Sequence, residues 1–80
     1  MKLILTGKNL TLTDDLKALA EKKLSKLDKY FADEVEARVV FSHIKNRKRI
    51  EVTVFLKGAT LRAEETSDDM ETSMDKVVDV

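Results

Sequence analysis

The chain has 80 residues, of which 15 are Lys or Arg and 15 are Asp or Glu, so the formal net charge at pH 7 is zero. This length and a hydrophobic content of 42% provide one domain with one two-layered core. The absence of Cys excludes disulfides and thiolate sites, and no apolar run approaches the roughly 18 residues of a membrane span, so we expect a cytoplasmic protein with no membrane partner.

The first strand and the first helix are predicted from residues that signal where each begins or ends. The apolar residues 3–5 predict a strand that ends at Gly7. Thr13 can cap a helix, and the acids Asp14 and Asp15 follow where the helix dipole favours negative charge. Apolar residues at helical spacing predict one buried stripe that reaches the helix end: Leu16, Leu19, Ala20, Leu24, Leu27, Tyr30 and Phe31.

Three more strands and a second helix follow. Residues 35–42, 50–56 and 60–64 alternate between apolar and polar side chains, with a tight turn predicted at Lys57-Gly58. A helix is predicted to begin within residues 67–71, where Asp68 and Glu71 have capping-box spacing. Its buried stripe is Met70, Met74, Val77 and Val78.

The order βαβββα predicts an α+β two-layer sandwich, in which two helices cover one face of a four-stranded sheet. The other face carries Arg38, Glu51, Thr53, Arg62 and Glu64 and suits water or a polar partner. The second helix ends on Asp79-Val80 without a glycine or a terminal cation. We therefore expect residues 1–80 to be a single domain and an N-terminal fragment of a longer chain.

Enzyme chemistry finds no support in the sequence. The lone His43 shares a strand face with Phe41, which is typical of a histidine at the rim of a core. The acid pairs at residues 14–15 and 68–69 are explained by helix capping, and Glu64 and Glu65 point to opposite sheet faces. Two glycines cannot build a phosphate-binding loop. We predict no enzyme, metal, cofactor or small-molecule substrate.

Charge is distributed unevenly. Residues 1–62 hold 14 Lys or Arg and 8 Asp or Glu, whereas residues 63–80 hold 1 and 7. Four cations crowd a predicted hairpin turn, a density that favours salt-sensitive contact with RNA phosphates: Lys45, Arg47, Lys48 and Arg49. Phe55 is the single aromatic on the open sheet face, so we expect recognition of backbone and shape in folded RNA.

The first helix carries a second group of cations. Lys22, Lys26 and Lys29 form one stripe beside the buried face. Lys23 falls within the apolar arc, so its side chain must extend to the edge of the helix layer. An ordinary solvated face explains these four lysines as well as a binding function does.

With these elements in place, the chain resembles the family of ribosome hibernation promoting factors, also described as ribosome-associated inhibitor or protein Y. The resemblance covers nearly the whole chain, and it is carried by Gly7-Lys8-Asn9, Leu12-Thr13, residues 22–31, Asn46-Arg47, residues 51–53, residues 61–65, residues 68–70 and Met74-Asp75.

This resemblance implies a domain shaped like double-stranded-RNA-binding domains. It implies binding to ribosomal RNA in the mRNA and tRNA channel of the small ribosomal subunit, which inhibits translation during stress and stationary phase. It places Lys23, Lys26 and Lys29 at basic RNA-binding positions, with Lys22 as a neighbour; the hairpin cations come from charge density. The chain departs from the family in the second helix, which members continue with more cations and which here holds only Lys76.

Two alternatives stay open. One is a general double-stranded-RNA-binding module, which the shape allows. The other is a structural module that self-associates through its open sheet face or an edge strand, with no role for RNA.

Overall fold

A computed structural model describes residues 1–31 and 35–78 of the chain. The elements are β1 (Lys2–Lys8), α1 (Asp14–Leu24), a 3-10 helix (Ser25–Tyr30), β2 (Glu36–Ile44), β3 (Arg47–Leu56), β4 (Ala59–Ser67) and α2 (Met70–Val78). The predicted α+β class and the βαβββα order are confirmed.

The four strands form one sheet in the order β1-β2-β3-β4. β1 pairs with β2 in parallel, as the intervening helical crossover requires, and the other neighbours pair antiparallel. The predicted turn at Lys57-Gly58 joins β3 to β4, and Gly58 has a φ of +79°, which glycine adopts without a steric penalty.

The core lies between the sheet and the two helices. Alternate residues of β2 and β3 face each other there and are at most 5% exposed: Ala37, Val39, Phe41, Ile50, Val52 and Val54. The helices add Ala20 and Leu24 from α1, and Met74 and Val77 from α2. Strand alternation therefore predicted the buried face correctly.

The end of the first helix differs from the prediction. Thr13 caps α1 as expected, since its Oγ1 accepts a hydrogen bond of 3.1 Å from the Leu16 amide. Residues 25–30, however, form a 3-10 helix with about 3.0 residues per turn instead of 3.6. The tighter turn carries Tyr30 out of the buried stripe, and its side chain is 68% exposed. Phe31 packs against the core in its place.

The start of α2 is one residue later than the capping-box spacing predicts. Asp69, not Asp68, caps the helix, because its Oδ2 accepts hydrogen bonds of 3.1 Å from the amide and the hydroxyl of Thr72. Ser73 is fully buried and donates to the carbonyl of Lys48, which ties α2 to β3. The predicted helix end at residues 79–80 lies outside the described residues.

Asn9 follows β1 and links the end of this strand to β2. It adopts a φ of +55°, a conformation in which asparagine is enriched. Its side-chain oxygen accepts from the backbone amide of His43 at 3.0 Å, and its side-chain nitrogen donates to the carbonyl of the same residue at 3.2 Å. This pair of bonds fixes β1 against the hairpin end of β2.

Candidate nucleic-acid interface

The helical lysines, which we define as Lys22, Lys23, Lys26 and Lys29, lie at the junction of α1 and the 3-10 helix. The first two occupy the last turn of α1, where positive charge also stabilises the helix dipole. The other two lie in the 3-10 helix. The structure thus brings the predicted residues together along one segment, but it gives them different surroundings.

Lys23 faces the second helix. Its Nζ lies 3.0 Å from Asp75 Oδ1 and 3.5 Å from Glu71 Oε2, and its side chain is only 18% exposed. The hydrogen bond to Asp75 raises the pKa of Lys23 above its ordinary value of 10.5, against the opposing effect of desolvation. The sequence predicts that the Lys23 side chain extends to the edge of the helix layer, and this contact gives its ammonium a partner there. Its ammonium joins the two helices.

Replacing Lys23 with methionine is expected to lower the free energy of unfolding by removing this link. Because the pKa is raised in the folded state, the stabilising effect is fully present below the ordinary pKa of 10.5 and is lost as the pH rises through the folded value. Urea unfolding of the wild type and of Lys23→Met from neutral to alkaline pH measures the difference.

The matched control is Lys17→Met, which alters an exposed lysine of the same helix. The control variant should follow the wild type at every pH. A Lys23→Met difference that persists unchanged well above pH 10.5 contradicts the assignment of the link to the ammonium.

The remaining helical lysines are exposed. Within residues 1–31 and 35–78, no carboxylate lies within 4.0 Å of the Nζ of Lys22, Lys26 or Lys29. The nearby acid Asp28 is paired with the N-terminal ammonium of Met1 at 3.5 Å. These three lysines therefore project positive charge that no described acid cancels at short range.

The hairpin cations, which we define as Lys45, Arg47, Lys48 and Arg49, do not form the crowded turn that the sequence predicts. Only Lys45 lies in the turn, with a φ of +56°, and the other three belong to β3. Consecutive strand residues point to opposite sheet faces, so Arg47 and Arg49 lie on the open face and Lys48 on the helix side. The prediction of one exposed cluster is wrong for this reason.

Acids on the open face engage Arg49. Its Nη2 lies 2.9 Å from Glu51 Oε1 and also contacts Glu64. The hydrogen bond to Glu64 raises the pKa of Arg49. Arg47 lies 4.0 Å from Asp68.

The other two hairpin cations differ from the arginines. Lys48 is half-buried, and its Nζ lies 2.9 Å from His43 Nδ1. Lys45 is exposed, and no acid of the described residues lies within 4.0 Å of its ammonium. Lys45 is therefore the hairpin cation that most resembles the exposed helical lysines.

Ion pairs extend across the rest of the open sheet face. Arg62 bonds to Glu51 at 3.1 Å, and Arg38 bonds to Glu36 at 3.3 Å. Exposed pairs like these add little to stability, but they cancel charge locally. Acids on this face therefore cancel much of the charge of Arg38, Arg49 and Arg62, whereas Lys22, Lys26 and Lys29 have no such partner among the described residues.

The part of the chain that the structure describes shows no group of side chains arranged as in a catalytic site. No group of three or more His, Asp or Glu side chains there could hold a metal ion. An open cleft of about 230 Å³ lies between the helix layer and β4, and its lining is mainly apolar, with Leu27, Val54 and Leu61 among its residues. No helix among residues 1–31 and 35–78 is long and apolar enough to cross a membrane.

Fold and charge together define a small two-layer α+β domain whose helix layer presents exposed lysines. The chain belongs to the family described as Sigma 54 modulation protein / S30EA ribosomal protein, whose model matches residues 3–80. The family resemblance stated from the sequence is therefore confirmed.

Individual relatives agree with this assignment. The chain is 45% identical over 80 residues to the ribosome hibernation promotion factor of Lactococcus lactis, a match that covers 96% of this chain and 43% of the relative. It is 40% identical over 77 residues to the factor of the same name from Staphylococcus aureus, covering 89% of this chain and 39% of the relative. The chain thus spans about two fifths of the length of these curated relatives.

Solved structures are similar over almost the whole chain. The N-terminal domain of Thermus thermophilus protein Y has a TM-score of 0.88 and 39% identity, covering 99% of this chain and 89% of that one. A ribosomal subunit interface protein from Coxiella burnetii has a TM-score of 0.87 and 30% identity, covering 99% and 87%.

Proposed function

We propose that this domain is a ribosome-binding inhibitor of translation, a hibernation factor that occupies the mRNA and tRNA channel of the small ribosomal subunit under stress. The observation that carries the proposal is the exposed set Lys22, Lys26 and Lys29, whose ammonium groups lie beyond 4.0 Å of every carboxylate in the described residues. Family membership and the names of the relatives support the same partner.

Charge position supports RNA as the component that is contacted. A chain of zero net charge attracts a polyanion only where its cations are separated from its acids. Here arginines of the open sheet face pair with acids, as in Arg62–Glu51, while Lys22, Lys26 and Lys29 lie on one segment with no acid partner among the described residues. We therefore place that segment against phosphates, each contact releasing a counterion and making binding salt-sensitive.

The proposed contact set is led by Lys22, Lys26, Lys29 and Lys45. RNA contacts by Lys23, Arg47, Lys48 and Arg49 stay predictions. Each of these cations already has a partner within the protein, which it would have to exchange for a phosphate. Such an exchange loses one favourable interaction for each one it gains, so the expected net contribution is smaller.

The mechanism is steric. A domain with a continuous core and a radius of gyration of 12.0 Å occupies space that mRNA and tRNA would need, without any bond being made or broken. Inhibition then requires only that the domain binds the channel tightly enough to exclude mRNA and tRNA.

Co-sedimentation with purified small and large ribosomal subunits tests the proposal. The domain is expected to pellet with small subunits, to be displaced by added mRNA and tRNA, and to dissociate as salt rises. Displacement by free duplex RNA at equal concentration identifies a general duplex-RNA binder instead. Light scattering that shows self-association without any binding to subunits identifies the structural module.

A further inference from the structure

Tyr30 is the most exposed of the large hydrophobic residues that the structure describes. A single exposed apolar side chain is common on protein surfaces and by itself indicates nothing. Tyr30, however, is 68% exposed and lies beside the exposed helical lysines, and the Lys29 Nζ stands over its ring at 5.1 Å from the centroid. The adjacent acid Asp28 is engaged by the Met1 ammonium.

We infer that Tyr30 is a stacking platform for an unpaired base of the RNA partner, with Lys26 and Lys29 contacting the flanking phosphates. This inference rests on the proposed function and adds a second kind of contact to it. Lys29 stands over the ring, and Tyr30 is 68% exposed, so ring surface is available to a base. Aromatic side chains bind bases of any sequence in this way, because every base has a π-face.

A stacking ring at position 30 requires a different form of RNA from lysine contacts alone. Lysine contacts alone favour recognition of backbone and shape, whereas an exposed ring requires a base that is free to leave its neighbours, as in loops and bulges. The target is therefore a folded RNA with an unpaired nucleotide beside a phosphate-rich backbone.

Phe55 provides a matched comparison within the same molecule. It also has a cation over its ring at 5.1 Å, that of Arg38, and it is 39% exposed. Arg38, however, is bonded to Glu36 at 3.3 Å, and the open sheet face around it carries further carboxylates. A phosphate next to a base on Phe55 would meet negative charge, so we assign stacking to Tyr30 and not to Phe55.

Binding to small subunits tests the contribution of the ring. Tyr30→Ala is expected to weaken binding about 5- to 150-fold, the range measured for loss of one base-aromatic stack. Tyr30→Phe keeps the ring and should bind like the wild type, and Phe55→Ala should do the same. The salt dependence of binding should be unchanged in Tyr30→Ala, because no phosphate contact is removed.

A direct observation of stacking is possible because the chain contains one tyrosine. Protein labelled with 3-fluorotyrosine gives one ¹⁹F resonance, which is recorded with a single-stranded RNA oligonucleotide and with an abasic oligonucleotide that has the same number of phosphates. An upfield shift with the first RNA alone supports stacking. An equal response to both, or none to either, overturns the inference.

These readouts separate the inference from the proposed function. If wild-type protein does not bind small subunits, the proposed function fails whatever the ¹⁹F spectrum shows. If wild-type protein binds and Tyr30→Ala binds equally well with an unchanged thermal unfolding midpoint, the stacking role fails and the proposed function stands.

Discussion

Reversing the charge of Lys22, Lys26 and Lys29 to glutamate is expected to weaken binding to small ribosomal subunits by roughly 100-fold or more, since each hydrogen bond to a charged group contributes about 1.5 to 3 kcal/mol. The slope of log affinity against log salt concentration should fall by roughly 2 to 3 as three phosphate contacts disappear. Sedimentation at several salt concentrations measures both effects. Lys23 is left unchanged because glutamate there would face Glu71 and Asp75.

The control is a second triple reversal with the same change in net charge. Lys2, Lys8 and Lys57 are exposed and lie on β1 and in the β3–β4 turn, away from the 3-10 helix. Lys2, Lys8 and Lys57→Glu should bind much more tightly than the helical variant. Equal losses in the two variants would mean that total charge, and not the position of the lysines, governs binding.

Folding of the helical variant also has to be checked. Glutamate at position 22 lies in the last turn of α1, where negative charge opposes the helix dipole and costs about 0.3 to 1 kcal/mol. Circular dichroism and the midpoint of thermal unfolding therefore accompany the binding measurement. A loss of binding counts only where both show a folded protein.

Most of the fold was predictable because the signals are local. The period-two pattern of β2 and β3 determines which side chains meet the helices, and Phe41 and Ile50 indeed lie opposite each other in the core. Thr13 signals the helix start through chemistry confined to one turn. Such features depend only on neighbouring residues, so the sequence displays them directly.

The candidate site was less predictable because its charges are sorted by contacts between distant residues. Lys23 and Asp75 are far apart in sequence and meet only when the helices pack side by side. Arg49 of β3 contacts Glu64 of the neighbouring strand β4, and this contact depends on the register of the two strands. Sequence spacing grouped the helical lysines on one segment, but it could not separate the cations that have partners from the exposed ones.

Tyr30 shows a third kind of difficulty. A helical period of 3.6 places it in the buried stripe, and the observed change to a 3-10 turn moves it to the surface. The adjacent pair Tyr30-Phe31 contained a hint, since two large aromatic neighbours seldom fit one narrow stripe. Which of the two is buried was decided by packing against the sheet.

Replacing Phe41 with alanine is expected to have the largest effect on stability. The side chain is fully buried at the centre of β2, opposite Ile50 and beside Gly7 of the neighbouring strand. Removing a buried phenylalanine costs about 3 to 5 kcal/mol through lost burial and the cavity left behind. A domain of this size has a total stability of roughly 4 to 12 kcal/mol. The substitution therefore removes a large share of it.

Phe55→Ala is the matched control for this prediction, because the same side chain is removed from the same sheet. Phe55 is 39% exposed on the open face, so its loss removes less burial than the loss of Phe41, together with a cation–π contact to Arg38 of about 0.5 to 1 kcal/mol. Urea unfolding followed by circular dichroism should show a much lower midpoint for Phe41→Ala and a smaller shift for Phe55→Ala, with similar slopes. Comparable losses in the two variants would place a second apolar core on the open face. That result would contradict the assignment of the core to the helix side of the sheet.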